Sequence, residues 1–200
     1  DLHHPEYWDL GFVEHSPRAS EYQAIVASSA ESLRCMETIS GESIGAINRV
    51  EFFTSHEGLH LHYEQAQTRQ VPRREGWYNL SCHFPWIGAR TVAIDGGHVE
   101  FFRGIKNPIG VKIGTHDVEI EKVLDVLHPD NELGRLTLIH RYGVERVSDE
   151  LPKLIEAVQA TGKQVLFVCD PMHGNTKKTE SGIKTRSFDD ILGELESSIE

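Results

Sequence analysis

A chain of 200 residues with 38% hydrophobic content can bury one sizeable core, and its composition is that of a globular protein rather than a disordered or collagen-like one. A formal net charge of -11 argues against broad electrostatic attachment to nucleic acid or to an anionic membrane, yet leaves room for a small basic pocket that takes a phosphorylated compound. Cys35, Cys82 and Cys169 lack CxxC spacing and support neither a disulfide framework nor a zinc ribbon; they fit a reducing cytosol, and no apolar run or charged leader signals a membrane or secretion.

In chain order, EYQAIVASSAESLRCMETI sets Tyr22, Ile25, Val26, Ala30, Leu33 and Met36 on one stripe at helical spacing, which predicts a helix. NRVEFFTS predicts the first strand, and LHYEQAQTRQVPRREGW a helix followed by irregular loop. WYNLSCHF reads as the second strand and NPIGVKIG as the third, flanked by Pro108 and Gly114. VEIEKVLDVLH repeats Ile120, Val123, Leu124 and Leu127 at helical spacing, and GRLTLIHR is the fourth strand. LPKLIEAVQATG predicts a helix with Leu151, Leu154, Ile155 and Val158 inward and Gly162 as its stop; KQVLFVCD is the fifth strand. The last helix starts at Ser187, whose side chain and that of Asp190 fit a capping box, and runs through Phe188, Ile191, Leu192, Leu195 and Ile199. Apolar strands alternating with helices predict an α/β fold with a parallel sheet covered on both faces, in a single domain over residues 1–200.

In such folds chemistry gathers at the carboxyl ends of the strands, here TSHEG, CHFPWIGAR, VKIG, HRYG and CDPMHGN. Arg90, Lys112 and Arg141 bring cations from three strands in an acidic chain, which suits a small substrate bearing carboxylate and phosphate; the competing reading pairs each cation with a neighbouring acid. His173 reads as a metal ligand or acid–base group, or else as a hydrogen-bonded loop histidine. His56 and Glu57 form either an acid–base pair or a polar strand end. The HLH of His60 and His62 alternates as a strand or exposed helix would, and GESIGAI lacks the GK[ST] ending of a phosphate loop. Lys184 and Arg186 in SGIKTRSF read as a solvated basic turn or as phosphate contacts.

The strings FFTSHEGLHLHYEQAQTR, WIGART, DGGHVEFFRGIKNPIGVKIG, GRLTLIHRYG, CDPMHGNT and GIKTRSFDDIL together resemble class II 3-deoxy-D-arabino-heptulosonate 7-phosphate (DAHP) synthase, the plant and actinobacterial type. The resemblance runs in order from about YWDLGFVEHS onward. It implies a (β/α)8 TIM-type barrel, of which the five strands look like the third to seventh, so the chain is expected to be an internal fragment whose ends Asp1 and Glu200 are cut. It implies the condensation of phosphoenolpyruvate with erythrose 4-phosphate, releasing phosphate, at the entry to the shikimate pathway. It further implies a divalent metal, manganese or cobalt, with His173 as ligand, and Lys112 and His173 as the catalytic pair. Trp86, Ala89, Arg90, Lys112, Arg141 and Glu57 become the substrate-binding positions. Many relatives read WIGERT or WCGERT, so Ala89 offers backbone contacts only, and the family's other three metal ligands, a Cys, a Glu and an Asp, have no matched position. The resemblance also implies a cytoplasmic or, in a plant-type source, plastid location, a homo-oligomer at full length, and no nucleic-acid or membrane partner. The 200-residue stretch alone is expected to be weak or inactive. A non-catalytic anion-binding or regulatory fragment is the alternative.

Overall fold

The computed structural model describes residue 5 and residues 8–40, 53–114 and 118–199. The chain divides into two compact units, Asp1–Phe52 and Phe53–Glu200. In the first, a 3-10 turn at Gly11–Val13 precedes α1 (Ala19–Ser40), the predicted helix, although Tyr22, Ile25 and Met36 of its stripe are exposed. Most of the strand expected over NRVEFFTS lies outside the described residues.

The second unit runs β1 (Ser55–Glu57), α2 (Leu61–Ala66), β2 (Thr68–Arg69), β3 (Tyr78–Asn79), β4 (Phe84–Ile87), α3 (Gly97–Gly104) and β5 (Ile109–Ile113). It continues through α4 (Ile120–Leu127), β6 (Leu136–His140), α5 (Val147–Ala160), β7 (Leu166–Cys169), β8 (Lys177–Lys178), β9 (Lys184–Thr185) and α6 (Phe188–Ser197). The main sheet has the order β1-β4-β5-β6-β7 with every neighbouring pair parallel. This is the architecture of an incomplete (β/α)8 barrel: the sheet stays open, with β1 and β7 at its edges. Among the described residues no helix is long and apolar enough to cross a membrane.

β5 and β6 read as near-continuous apolar runs because parallel central strands are covered on both faces. Phe102 of α3, Leu124 of α4 and Val111 of β5 are fully buried, and each such side chain contributes about 1.5–3 kcal/mol over an exposed one. Lys112 is the break in the β5 pattern, half-buried between buried Val111 and Ile113. Strand alternation turns Lys112 to the opposite face, where the carboxyl-end cleft opens.

The sequence and the structure part in four places. WYNLSCHF is not one strand: Tyr78–Asn79 pairs antiparallel with β2, and the sheet strand begins at Phe84. Pro85 is tolerated in β4 because the ladder to β5 begins only at Trp86, beyond the residue that lacks an N–H. Helix α3 has no counterpart in the sequence reading, since Gly97 and Gly104 at its ends mask the inward pair Val99 and Phe102. Helix α5 begins at Val147, four residues before the expected Leu151, with Asp149 and Glu150 in a first turn that favours acids. Finally, Ser187 is the N-cap of α6 without a side-chain cap bond, and Asp190, the other half of the expected box, pairs with Lys177 at 2.5 Å. That helix turns Glu194 inward, at 0% exposure, and leaves Phe188 73% exposed, the reverse of an apolar inner stripe.

Candidate active site

The carboxyl ends of β1, β4, β5, β6 and β7 surround a cleft of about 430 Å³. Glu57, Trp86, Ala89, Arg90, Lys112, Arg141 and His173 all line it, joined by Gly88, Thr176, Lys184 and Arg186. A neighbouring cavity of about 620 Å³ shares Ala89 and Arg90, but the other cation in its lining is Lys122 alone, so the charge converges on the first.

Lys112 is the most tightly held cation. Its ammonium lies 4.3 Å from the centroid of the Trp86 ring and donates to Asp170 Oδ2 at 2.5 Å, with both side chains 12% exposed. For Lys112, then, the neutralised reading holds. Arg90 and Arg141 have no acidic partner among the described residues, and the Nε of Arg141 is buried without any hydrogen-bond partner. Its Nη2 donates to the carbonyl oxygen of His173 at 2.7 Å, which ties the β6 loop to the β7 loop. Lys184 and Arg186 enter the cleft from the β8–β9 hairpin and the segment after it, and Arg186 Nε is fixed by Met172 O at 2.6 Å. Glu57 is the acid in a lining that carries five cations, Arg90, Lys112, Arg141, Lys184 and Arg186. An anion is what this arrangement attracts.

Asp170 is the residue that sequence reasoning missed. It sits just after β7, where an Asp-Pro pair starts a turn, and its Oδ1 accepts the backbone N–H groups of Met172 at 3.1 Å and His173 at 3.3 Å. The same carboxylate meets His173 Nδ1 at 2.7 Å through Oδ2. Burial works to raise its pKa, but the Lys112 ammonium, the Met172 N–H and His173 together hold it below the usual carboxylate range. It stays ionised at neutral pH and orients the imidazole so that Nε2 is left for a ligand, the carboxylate–histidine pairing common behind metal sites. The signal was in the sequence, as Asp170 immediately follows an apolar strand three residues before His173.

Two glycines shape the rim. A Cβ at Gly88 would collide with Glu57 Oε1, so only glycine there lets that carboxylate lie along the floor. A Cβ at Gly174 would come within 2.8 Å of Gly143 Cα and 2.9 Å of Tyr142 C, so the loops after β6 and β7 pack backbone on backbone.

His56 and Glu57 are not an acid–base pair. Strand alternation sends Glu57 into the cleft and His56 away from it, where His56 Nε2 meets Glu64 Oε1 at 2.8 Å. Glu64 is buried on α2 and accepts from Asn79 Nδ2 at 2.6 Å and Ser81 Oγ at 2.7 Å. Burial pushes its pKa up, yet the bonds from Asn79, Ser81 and His56 outweigh that and leave it below the ordinary value. A carboxylate so depressed stabilises the fold fully above its unfolded value of about 4.3. The contribution is lost as pH falls through the lower folded value. Glu64→Gln is therefore expected to cost about 1–3 kcal/mol in urea denaturation at neutral pH, with the gap to wild type shrinking as the solution is acidified. An equal gap at every pH would contradict this.

Among the described residues, His140, Cys169 and Glu194 place one ligand atom each within 4.8 Å of one another, a group compatible with a divalent metal. His173 and Asp170 are joined by no third ligand of that kind among the described residues.

Residues 1–200 match the family model described as the class-II DAHP synthetase family. The chain is 44% identical over 217 residues to a phospho-2-dehydro-3-deoxyheptonate aldolase of Neurospora crassa, covering 100% of this chain and 45% of that protein. It is 44% identical over 191 residues to a probable chloroplastic phospho-2-dehydro-3-deoxyheptonate aldolase of Catharanthus roseus, covering 94% and 38%. With a phospho-2-dehydro-3-deoxyheptonate aldolase of Streptomyces coelicolor the identity is 42% over 202 residues, covering 100% and 45%. The chain thus spans less than half the length of these curated relatives. By the match along its whole length, the chain belongs to the class-II DAHP synthetase family.

Proposed function

We propose that the protein carrying this chain at full length condenses phosphoenolpyruvate with erythrose 4-phosphate and water to give DAHP and inorganic phosphate. The observation that carries the reading is a cleft with Arg90 and Arg141 unpaired by any acid of the described residues, in a chain of net charge -11. The matched family and the names of its relatives support the same chemistry.

In this reading the carboxylate and phosphate of phosphoenolpyruvate lie between Arg90, Lys112 and Arg141, with the two guanidinium groups and the backbone at Ala89 supplying donors. Trp86 keeps the Lys112 stem and ammonium in place, so the charge meets the substrate already oriented. Lys184 and Arg186 are at hand for the phosphate of the second substrate, where their position favours contact over a solvated turn. The condensation forms a bond from C3 of phosphoenolpyruvate to the aldehyde carbon; water adds at C2 and phosphate leaves. Preorganised cations stabilise the negative charge that moves through these steps.

His173 Nε2 would supply one ligand to manganese or cobalt, with its Nδ1 held by Asp170, and the ion when bound polarises the aldehyde as a Lewis acid. One imidazole does not fill the coordination of such an ion, so the reading requires donors beyond those the described residues bring near His173. This favours a second reading for the 200-residue chain by itself: it binds phosphoenolpyruvate without turning it over.

The test is phosphate release by the full-length protein given both substrates and manganese. Release that depends on both substrates is expected; none from a folded, metal-loaded protein contradicts the reading.

A further inference from the structure

We infer that His140, Cys169 and Glu194 form a second cation site, apart from the cleft, that takes a borderline-soft divalent ion such as zinc and pins β6, β7 and α6 together. His140 and Cys169 are register partners at the last positions of β6 and β7, in one row with Ile113 of β5. Alternation puts that row on the helix side of the sheet, where Ile113 belongs to the apolar core, while Lys112, Arg141 and Asp170, one residue away, serve the cleft. The sheet itself separates the two sites.

Glu194 arrives from the facing helix at 0% exposure. Its Oε1 accepts the Gly143 N–H at 2.9 Å and its Oε2 the Asn175 amide at 2.7 Å. A carboxylate has about four lone-pair positions, so capacity for a cation remains. His140 is 3% exposed and its Nδ1 has no partner, an arrangement that costs desolvation unless something binds there. The Cys169 sulfur accepts a hydrogen bond from Ser198 Oγ at 3.4 Å, which leaves further lone-pair capacity for an ion.

Tetrahedral zinc holds its nitrogen, sulfur and oxygen ligands roughly 3.3–3.8 Å apart, given bonds of about 2.0–2.3 Å. The group spans at most 4.8 Å, so modest side-chain rotation closes it. A mixed nitrogen, sulfur and oxygen set suits zinc or cobalt over magnesium or manganese, which prefer oxygen alone. An ion here would also fix the end of edge strand β7, from which Asp170 and His173 follow directly.

Cobalt(II) alone, added to the 200-residue chain, tests the site. Thiolate-to-cobalt charge-transfer absorption is expected to saturate at one ion per chain, to persist in His173→Ala, and to vanish in Cys169→Ser. His140→Gln should weaken cobalt by more than the roughly 10- to 100-fold that loss of an outer partner costs. X-ray absorption of the zinc-loaded wild-type chain, which needs no variant to fold, should show one sulfur at about 2.3 Å. A sulfur-free shell, no charge-transfer band in wild type, or a band unchanged in Cys169→Ser overturns the assignment.

Discussion

Asp170→Asn is expected to raise the manganese concentration needed for half-maximal phosphate release by about 10- to 100-fold, the usual cost of losing a metal ligand's outer carboxylate. The carboxylate serves two partners at once, Lys112 Nζ at 2.5 Å and His173 Nδ1 at 2.7 Å, while also accepting two backbone N–H groups of its own turn. Asparagine keeps the size and one acceptor oxygen but loses the charge. Lys112, 12% exposed, would then lack its counter-ion. Breaking a buried pair costs about 3–5 kcal/mol, and the open side of the cleft places this one at the low end. The maximal rate should fall as well, because the ammonium is no longer held over Trp86 and the removal of one oriented charge typically costs about 100- to 1000-fold. Metal titrations of the full-length wild type and variant check it. Identical metal dependence would mean that Asp170 does not support a ligand at His173.

Gly174→Ala is expected to be the most damaging single methyl group in the second unit. The new Cβ would meet backbone of Gly143 and Tyr142, which cannot rotate away as a side chain does. Gly143 itself has φ +86°, a left-handed conformation that glycine adopts without strain and that lets the two loops approach this closely. Forcing the two loops apart would strain the bond from Arg141 Nη2 to His173 O at 2.7 Å and that from the Val144 N–H to Asn175 Oδ1 at 2.9 Å. Overpacking of this kind costs about 1–3 kcal/mol, measurable as a lower urea midpoint. Phosphoenolpyruvate binding should weaken with it, since Arg141 and His173 sit on opposite sides of the contact. A stable variant with unchanged binding would show that the loops are looser than their packing implies.

The strands β5 and β6 and the helices α4 and α5 were legible because burial on both faces, or on one helical stripe, writes a simple periodic pattern; β7 is as apolar in sequence, although Leu166 and Val168 of this edge strand are exposed. The same reasoning failed where a tertiary partner overrides local pattern. Pro85 lies within β4, past the end of the expected strand WYNLSCHF, where it is paired to β1 but not yet to β5; Gly97 and Gly104 hid a helix whose Val99 and Phe102 are wholly buried. In α6 the apolar stripe pointed to the wrong face, since no periodicity reveals that Glu194 is drawn inward by Gly143 and Asn175. Site residues at strand ends were legible for a topological reason: a parallel sheet delivers them all to one rim. What stayed hidden were relations across the chain, such as Asp170 between Lys112 and His173, while the approach of Lys184 and Arg186 to the cleft is one of the two readings SGIKTRSF left open.

The claim beneath all of this is that positive groups from separate strands converge on one small anion. Calorimetric titration of phosphoenolpyruvate into the 200-residue chain tests it without requiring turnover. The account predicts one saturable site, weakened by added salt. Arg141→Ala and Lys112→Met should each weaken it by about 10- to 150-fold, the equivalent of one charge-assisted hydrogen bond of about 1.5–3 kcal/mol. Wild-type chain that is folded and takes up no phosphoenolpyruvate, or variants that bind it as tightly as wild type, would contradict the account.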